Sequence, residues 1–313
     1  MSVEKKPVVL ILIGPTAVGK TDLSIELAQT LHCEIISADS RLFYRGMDIG
    51  TAKPTVEQQQ MVPHHLIDIA EPDQVISLSI FQQMALQQIA EIGGRGKIPL
   101  IVGGTGQYIK AITEGWEIPP QEPDERLRSA IEKWGGKIGV ASLHQKLAII
   151  DPAAAQKIEY QNIRRTVRAL EVIFLTGKRF SEQKQKKTPQ FNFWMIGLNR
   201  PRVELYARID ERIEKMFAEG LVEETEKLLA LGFDSANPNL SAIGYREVGE
   251  YLAGKTSLAD AKAMMKKKTR EFVRRQANWF KLSDPSIHWY EMESNVKDQI
   301  LCDLKESEIL HVR

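Results

Sequence analysis

The sequence predicts an α/β fold, a parallel sheet core flanked by helices and interrupted by an inserted all-helical domain. Three observations predict it. Short apolar runs at Val8–Ile13, Glu34–Ala38, Ile98–Val102 and Phe193–Leu198 are separated by stretches of helical spacing, the pattern of strands buried on both faces. The first run leads into Gly14-Pro15-Thr16-Ala17-Val18-Gly19-Lys20-Thr21 and then a helical segment, a P-loop NTPase-like arrangement. A proline-dense stretch, Glu117 to Pro123, opens a wholly helical region that ends where Phe193 returns the chain to the sheet. The expected boundaries are a catalytic core of residues 1–118 plus 190–313 and a helical insertion of residues 119–189.

The loop at 14–21 carries the first functional statement. Gly14 and Gly19 let the backbone curl and aim its N–H groups inward, and the helix that follows adds its positive end. Lys20 adds a point charge, and Thr21 offers a hydroxyl to Mg²⁺. Such a cradle accepts ATP, GTP or a bare diphosphate ester alike.

Composition bounds the rest. A chain of 313 residues with 43% hydrophobic and 27% charged residues has room for a sizeable core and an ordinary hydrated surface. Net charge is +1, so any nucleic-acid surface must be local. Cys33 and Cys302 are too few for a disulfide framework or a cysteine zinc site. The first residues have no signal-peptide pattern and no apolar run has membrane-spanning length. The expectation is a cytoplasmic protein.

Asp39 follows the second strand and is expected in the crevice at the carboxyl ends of the strands, beside the phosphate loop. It reads either as a turn aspartate or as a catalytic or magnesium-related group, and its neighbour upstream favours the second. Arg41 to Pro54, rich in glycine and mixed charge, reads as a loop beside the crevice. His64-His65 lacks a third metal ligand at suitable spacing, which favours a structural role. A helix is expected near 79–92. The third strand ends in Gly103-Gly104-Thr105, where kinases often place a magnesium-supporting aspartate; the glycines admit a substrate close to backbone and Thr105 supplies a hydrogen bond.

Helical spacing continues at 124–134, 141–150 and 163–176. The last holds Arg164, Arg165 and Arg168, followed by Lys178, Arg179, Lys184, Lys186 and Lys187, a run read as basic without acidic partners and so leaning toward phosphate recognition. Residues 202–231 read as a strongly amphipathic helical stretch with Arg208 and Arg212 four apart on one face, where Asp210, Glu211 and Glu214 offer ordinary partners. Another helical region opens at Ala242. Residues 262–281 gather eight basic residues against one acidic residue, with Phe272, Trp279 and Phe280 as core anchors. The tail after Ser283 carries no functional signal.

Together these stretches resemble one family, the tRNA dimethylallyltransferases (tRNA isopentenyltransferases). The resemblance rests on GPTAVGKT at 14–21, SADS at 37–40, YRGMDIGTAKP at 44–54, PHHLIDI at 63–69 and GGTGQY at 103–108. It continues through NIRRTVRALEV at 162–172, LYARIDER at 205–212, GLVEE at 220–224, AIGYRE at 242–247 and RRQANWF at 274–280. It spans nearly the whole chain and is closest in form to the shorter bacterial type. Leu42, Phe43 and Val273 depart from common family residues without touching the implied chemistry.

The resemblance implies a P-loop α/β core in which the loop holds dimethylallyl diphosphate, with Mg²⁺ as cofactor at Thr21. The implied reaction moves the dimethylallyl group to N6 of the adenine 3′ of the anticodon, in tRNAs reading codons that begin with U. Asp39 is then the general base for a weakly nucleophilic amine, while Lys20 and Arg212 stabilise the departing diphosphate and Thr16 and Thr105 orient substrates. The implied RNA contacts are Asp39, Ser40, Arg41, Leu42, Thr105, Arg128 and the turn Arg164, Arg165, Thr166, Val167, Arg168. Partners are the tRNA anticodon stem-loop and dimethylallyl diphosphate, with no membrane and a monomeric state expected. Three rivals stay open: a small-molecule kinase, an isopentenyltransferase acting on free AMP, and an RNA-binding protein without catalysis.

Overall fold

The computed structural model describes residues 6–118, 124–183, 187–233, 239–307 and 309. The chain begins with β1 (Val8–Ile13), α1 (Lys20–Leu31), β2 (Cys33–Ser37), α2 (Val56–Met61), β3 (His64–His65), α3 (Leu78–Gly94), β4 (Ile98–Gly103) and α4 (Gly106–Thr113). Four helices follow, α5 (Glu125–Ile138), α6 (Val140–Ile150), α7 (Pro152–Lys157) and α8 (Ile163–Thr176), then a 3₁₀ turn at Phe180–Gln183. The chain closes with β5 (Asn192–Asn199), α9 (Arg202–Ala218), α10 (Leu221–Ala230), α11 (Tyr245–Leu252), α12 (Leu258–Gln276), β6 (Ile287–Glu291) and α13 (Val296–Glu306).

Two compact units emerge. One comprises residues 1–76, 80–113 and 190–313; the other comprises 77–79 and 114–189. In the first, the strands form a six-stranded sheet in the order β3-β2-β4-β1-β5-β6, every pairing parallel. β1 lies between β4 and β5, with Leu10 opposite both Leu100 and Trp194. Val9 to Ile13 are fully buried, as a central parallel strand covered on both faces requires. Because all strands run the same way, their carboxyl ends bring the segments after Ile13, Ser37, Gly103, Asn199 and Glu291 to one edge. That edge carries the candidate chemistry.

The sheet has two strands that the apolar runs do not announce. β3 is two residues long, and β6 is Ile-His-Trp-Tyr-Glu, an edge strand of mixed polarity. The amphipathic stretch 202–231 forms two helices, α9 and α10. Gly220 sits between them at φ 102°, a left-handed conformation that an L side chain resists, and it caps α10. The helix in the 262–281 region ends at Gln276; Asn278 and Trp279 continue as turns bonded to Arg275 and Gln276 carbonyls.

The second unit is built on Ile131, Leu143, Leu147, Val167, Leu170 and Ile173, contributed by α5, α6 and α8. Asp151, fully buried, caps α7 by accepting from Ala154 N–H and also takes the N–H and hydroxyl of Ser181. The ends of this unit meet where Lys187 N–H donates to Gly115 O at 2.8 Å and its ammonium pairs with Glu117. Pro119 to Pro123, the proline-dense stretch, lies outside the described residues, as do Lys184 and Lys186.

Candidate active site

The phosphate loop is a strained turn held from beneath. β1 drives into Gly14, and α1 starts at Lys20 with Gly19 as its N-cap and no side chain capping it, which leaves first-turn N–H groups for an anion. Lys20 Nζ donates to Gly14 O and Pro15 O, each at 2.9 Å. Val18 is fully buried and its N–H closes a turn to Pro15 O. Ala17 adopts φ 66°, a conformation that costs a non-glycine residue about 1 kcal/mol. Its carbonyl accepts from Arg208 Nε at 2.9 Å, a contact from α9 that fixes the turn. Thr21, half-buried, is the second residue of α1.

Asp39 follows β2 and forms an Asx turn, its Oδ1 accepting from Arg41 N–H at 3.0 Å. It is therefore a turn aspartate, and it is also more than that. Its charge acts on both Lys20 and Arg212, raising their proton affinity. Burial pulls the other way and dominates: the Lys20 ammonium is lowered to about 8, with Arg212 contributing, and the Arg212 guanidinium is lowered by burial too. Two cations and one carboxylate thus lie near enough to one another at the phosphate loop for the charge of Asp39 to act on both Lys20 and Arg212.

Arg208 and Arg212 are not spent on their own helix. Asp210 pairs with Arg270, and Glu214 takes Lys262 at 2.7 Å and Lys266 at 2.6 Å. Asp210 and Glu214 of α9 thus serve α12, Arg208 holds the loop, and Arg212 acts on Lys20 and Asp39 through its charge. The eight basic residues of 262–281 are thus partly neutralised: Lys262, Lys266, Lys268 and Arg270 have acidic partners, while Lys267, Arg274 and Arg275 are exposed. Phe280 is buried, and Trp279 lies against Gly106.

The segment after Asp39 is tightly tied. Arg41 donates to Asn239 O at 3.3 Å, Ser40 and Leu42 are half-buried, and Leu42 N–H bonds Asp39 O. Thr105, half-buried, opens α4 by accepting from Tyr108 N–H. Thr16 N–H donates to Gln276 Oε1. The loop 41–54 is braced by groups to which the sequence reading gave no role. The Lys53 side chain, only 4% exposed, pairs with Asp48 and Asp68 and donates to Tyr44 O. Glu224 accepts from three successive backbone N–H groups, Asp48, Ile49 and Gly50, and from Tyr245 Oη at 2.6 Å. Glu224 and Tyr245 lie in motifs quoted above, and their residue types alone did not reveal which loop they hold.

His65 Nε2 meets Glu34 Oε2 at 2.7 Å, and His64 Nδ1 meets Val62 O at 2.7 Å. Both are structural contacts. Among the described residues no cluster of three histidine, cysteine or acidic side chains is placed to hold a metal ion.

In the helical unit, Arg164 and Arg165 are exposed at the start of α8. Thr166 and Val167 are buried, the threonine hydroxyl bonding Asn162 O, so their side chains belong to the unit's interior. Arg128 and Arg168 converge on Glu171, whose carboxylate is fully buried and also accepts Asp124 N–H. Arg179 reaches Glu182. Within the basic run Arg168, Arg179 and Lys187 therefore do have acidic partners, brought by α8 itself, the 3₁₀ turn and Glu117.

Comparison with known proteins places this geometry. The family model described as IPP transferase matches residues 42–283, and that described as isopentenyl transferase matches residues 7–70. A tRNA dimethylallyltransferase of Roseiflexus sp. (strain RS-1) is 49% identical over 270 residues, covering 86% of this chain and 88% of the relative. One from Thermomicrobium roseum is 45% identical over 289 residues, 92% and 87% of the two chains. The crystal structure of a tRNA isopentenylpyrophosphate transferase from Bacillus halodurans superposes with a TM-score of 0.72 at 39% identity, covering 97% of each chain. A eukaryotic dimethylallyltransferase described as acting on tRNA gives a TM-score of 0.80 at 26% identity over 96% of this chain and 79% of its own.

Proposed function

The chain belongs to the IPP transferase family, and on that premise we infer that it is a tRNA dimethylallyltransferase. It transfers the dimethylallyl group from dimethylallyl diphosphate to N6 of the adenine 3′ of the anticodon, in tRNAs reading codons that begin with U. The products are N6-isopentenyladenosine and pyrophosphate. The observation that carries the mechanism is the uncapped start of α1, with Lys20 folded onto the Gly14 and Pro15 carbonyls and Asp39 held in its turn after β2.

An adenine N6 lone pair is delocalised into the ring, so the amine must lose a proton as the new C–N bond forms. Asp39 is the group we assign to take it, its carboxylate oriented by the Arg41 N–H. On the opposite side the allylic C–O bond breaks and negative charge gathers on the diphosphate. Lys20, Arg212 and the N–H groups at the uncapped start of α1 are assigned to stabilise that charge. Thr16 and Thr105 orient the two substrates. The acceptor base leaves its stack to reach the site, as chemistry on a nucleobase requires. Arg164 and Arg165 contribute phosphate contacts in the helical unit.

Thr21 alone offers one hydroxyl, which fits Mg²⁺ only as an ion that arrives with the diphosphate and keeps most of its waters. When bound there, Mg²⁺ adds positive charge against the leaving group. Among the described residues no helix is long and apolar enough to cross a membrane; the enzyme proposed here is cytoplasmic and monomeric.

The test is to incubate the protein with labelled dimethylallyl diphosphate and Mg²⁺, offering an anticodon stem-loop, AMP, or ATP with small acceptors. Label on the stem-loop adenine is the expected result. Label on AMP, or phosphoryl transfer from ATP with the prenyl donor ignored, would overturn the assignment.

A further inference from the structure

We propose that Gln276 is a positioning residue for the transfer reaction, a bridge that fixes the phosphate loop against the loop following β4. Gln276 is buried at the last turn of α12. Its Oε1 accepts from Thr16 N–H at 2.9 Å and its Nε2 donates to Gly104 O at 3.2 Å. One neutral side-chain amide thus satisfies a donor of the first loop and an acceptor of the second.

The packing around the bridge supports the same conclusion independently. A β-carbon on Gly104 would overlap Gln276 Nε2, and one on Gly106 would overlap the Trp279 ring. The glycines on either side of Thr105 are therefore covered by side chains from the last turn of α12 and the turn after it, while Thr105 remains half-exposed between them. Thr16 and Thr105, the residues assigned above to orient the substrates, flank the two ends of the bridge. Small errors in the separation of donor and acceptor sites are costly to a bimolecular transfer, so a device that sets this separation acts on the reaction itself. Glutamine suits the position because it is uncharged; a carboxylate there would keep the acceptor, lose the donor and oppose the diphosphate. The proposal rests on the reading of the loop as the diphosphate site.

The experiment compares wild-type full-length protein with Gln276→Ala, Gln276→Met and Gln276→Glu in transfer of labelled dimethylallyl group to an anticodon stem-loop. KM for the donor, kcat, stem-loop affinity and the thermal midpoint are measured for each. Gln276→Met fills the same space without polar contacts, which separates bridging from packing. The expected result is an approximately tenfold rise in donor KM for the alanine and methionine variants, as loss of a buried hydrogen-bonded pair implies, with kcat lowered as well because the two loops no longer hold one separation. The glutamate variant should rise further, and stem-loop affinity should stay within about twofold. A methionine variant with wild-type donor KM, or loss of stem-loop affinity in place of donor affinity, would overturn the proposal. Wild-type protein that passes no label to the stem-loop would instead overturn the reading on which it rests.

Discussion

The charge of Asp39 raises the proton affinity of Lys20 even though the two residues lie on different elements, one after β2 and one at the head of α1. Burial and Arg212 outweigh it and leave the ammonium at about 8. A lowered lysine is charged below that value and neutral above it, while the same lysine in the unfolded chain holds its proton to 10.5. The charge that grips the diphosphate is therefore lost as pH rises through about 8. Affinity for a non-reactive dimethylallyl diphosphate analogue should fall by up to about tenfold per pH unit above that point, with proton uptake on binding at about pH 9 and none at about pH 6.5. Calorimetry in buffers of different ionisation enthalpy measures both. Lys20→Arg, which keeps its charge across the window, should flatten the slope.

Glu224 holds three successive N–H groups of the loop that begins beside Asp39 and shares its carboxylate with Tyr245. Glu224→Ala leaves those donors without their acceptor and should cost about 2 kcal/mol or more in urea unfolding. Tyr245→Phe removes one of the four bonds and should cost about 1 kcal/mol. Equal stability of Glu224→Ala and wild type would show that the loop needs no such brace.

Glu34 gives a second pH signature. The Arg95 hydrogen bond holds its carboxyl below the usual range, His65 assists, and burial opposes them. A lowered carboxyl contributes stability that is present above its unfolded value of 4.5 and lost as pH falls below it. Glu34→Gln should lower stability by about 1–3 kcal/mol at pH 7, and the gap should close toward about pH 3. Denaturant midpoints of the two proteins across that range check it.

Arg164 and Arg165 are exposed, whereas Arg128 and Arg168 are drawn onto Glu171. Reversing both exposed charges should weaken stem-loop binding and reduce the slope of log affinity against log salt by about 1–2. An unchanged slope would mark them as a solvated face.

β1, β2 and β4 and the phosphate loop were legible because both faces of these strands are covered, so their apolar runs are continuous, and β5 was legible from the half that is buried. β6 was not, because an edge strand such as Ile-His-Trp-Tyr-Glu packs in part and reads as mixed polarity. The break between α9 and α10 was hidden by apolar spacing that continues past Gly220. Local counts of charge misled for a related reason. Glu214 and Asp210, far from 262–281 in sequence, neutralise lysines and an arginine there. Gln276 lies 260 positions from Thr16, a separation no local pattern reports. Asp39, Lys20 and Arg212 were legible through motif resemblance, and their mutual field became visible only once the sheet brought their elements to one edge.

The most direct measurement is the single-turnover rate of dimethylallyl transfer to a bound anticodon stem-loop in Asp39→Ala. The expected fall is about 10²–10⁴ with stem-loop affinity changed by no more than a few-fold, as removal of a general base requires. A rate within about tenfold of wild type would contradict the assignment of the N6 proton to Asp39.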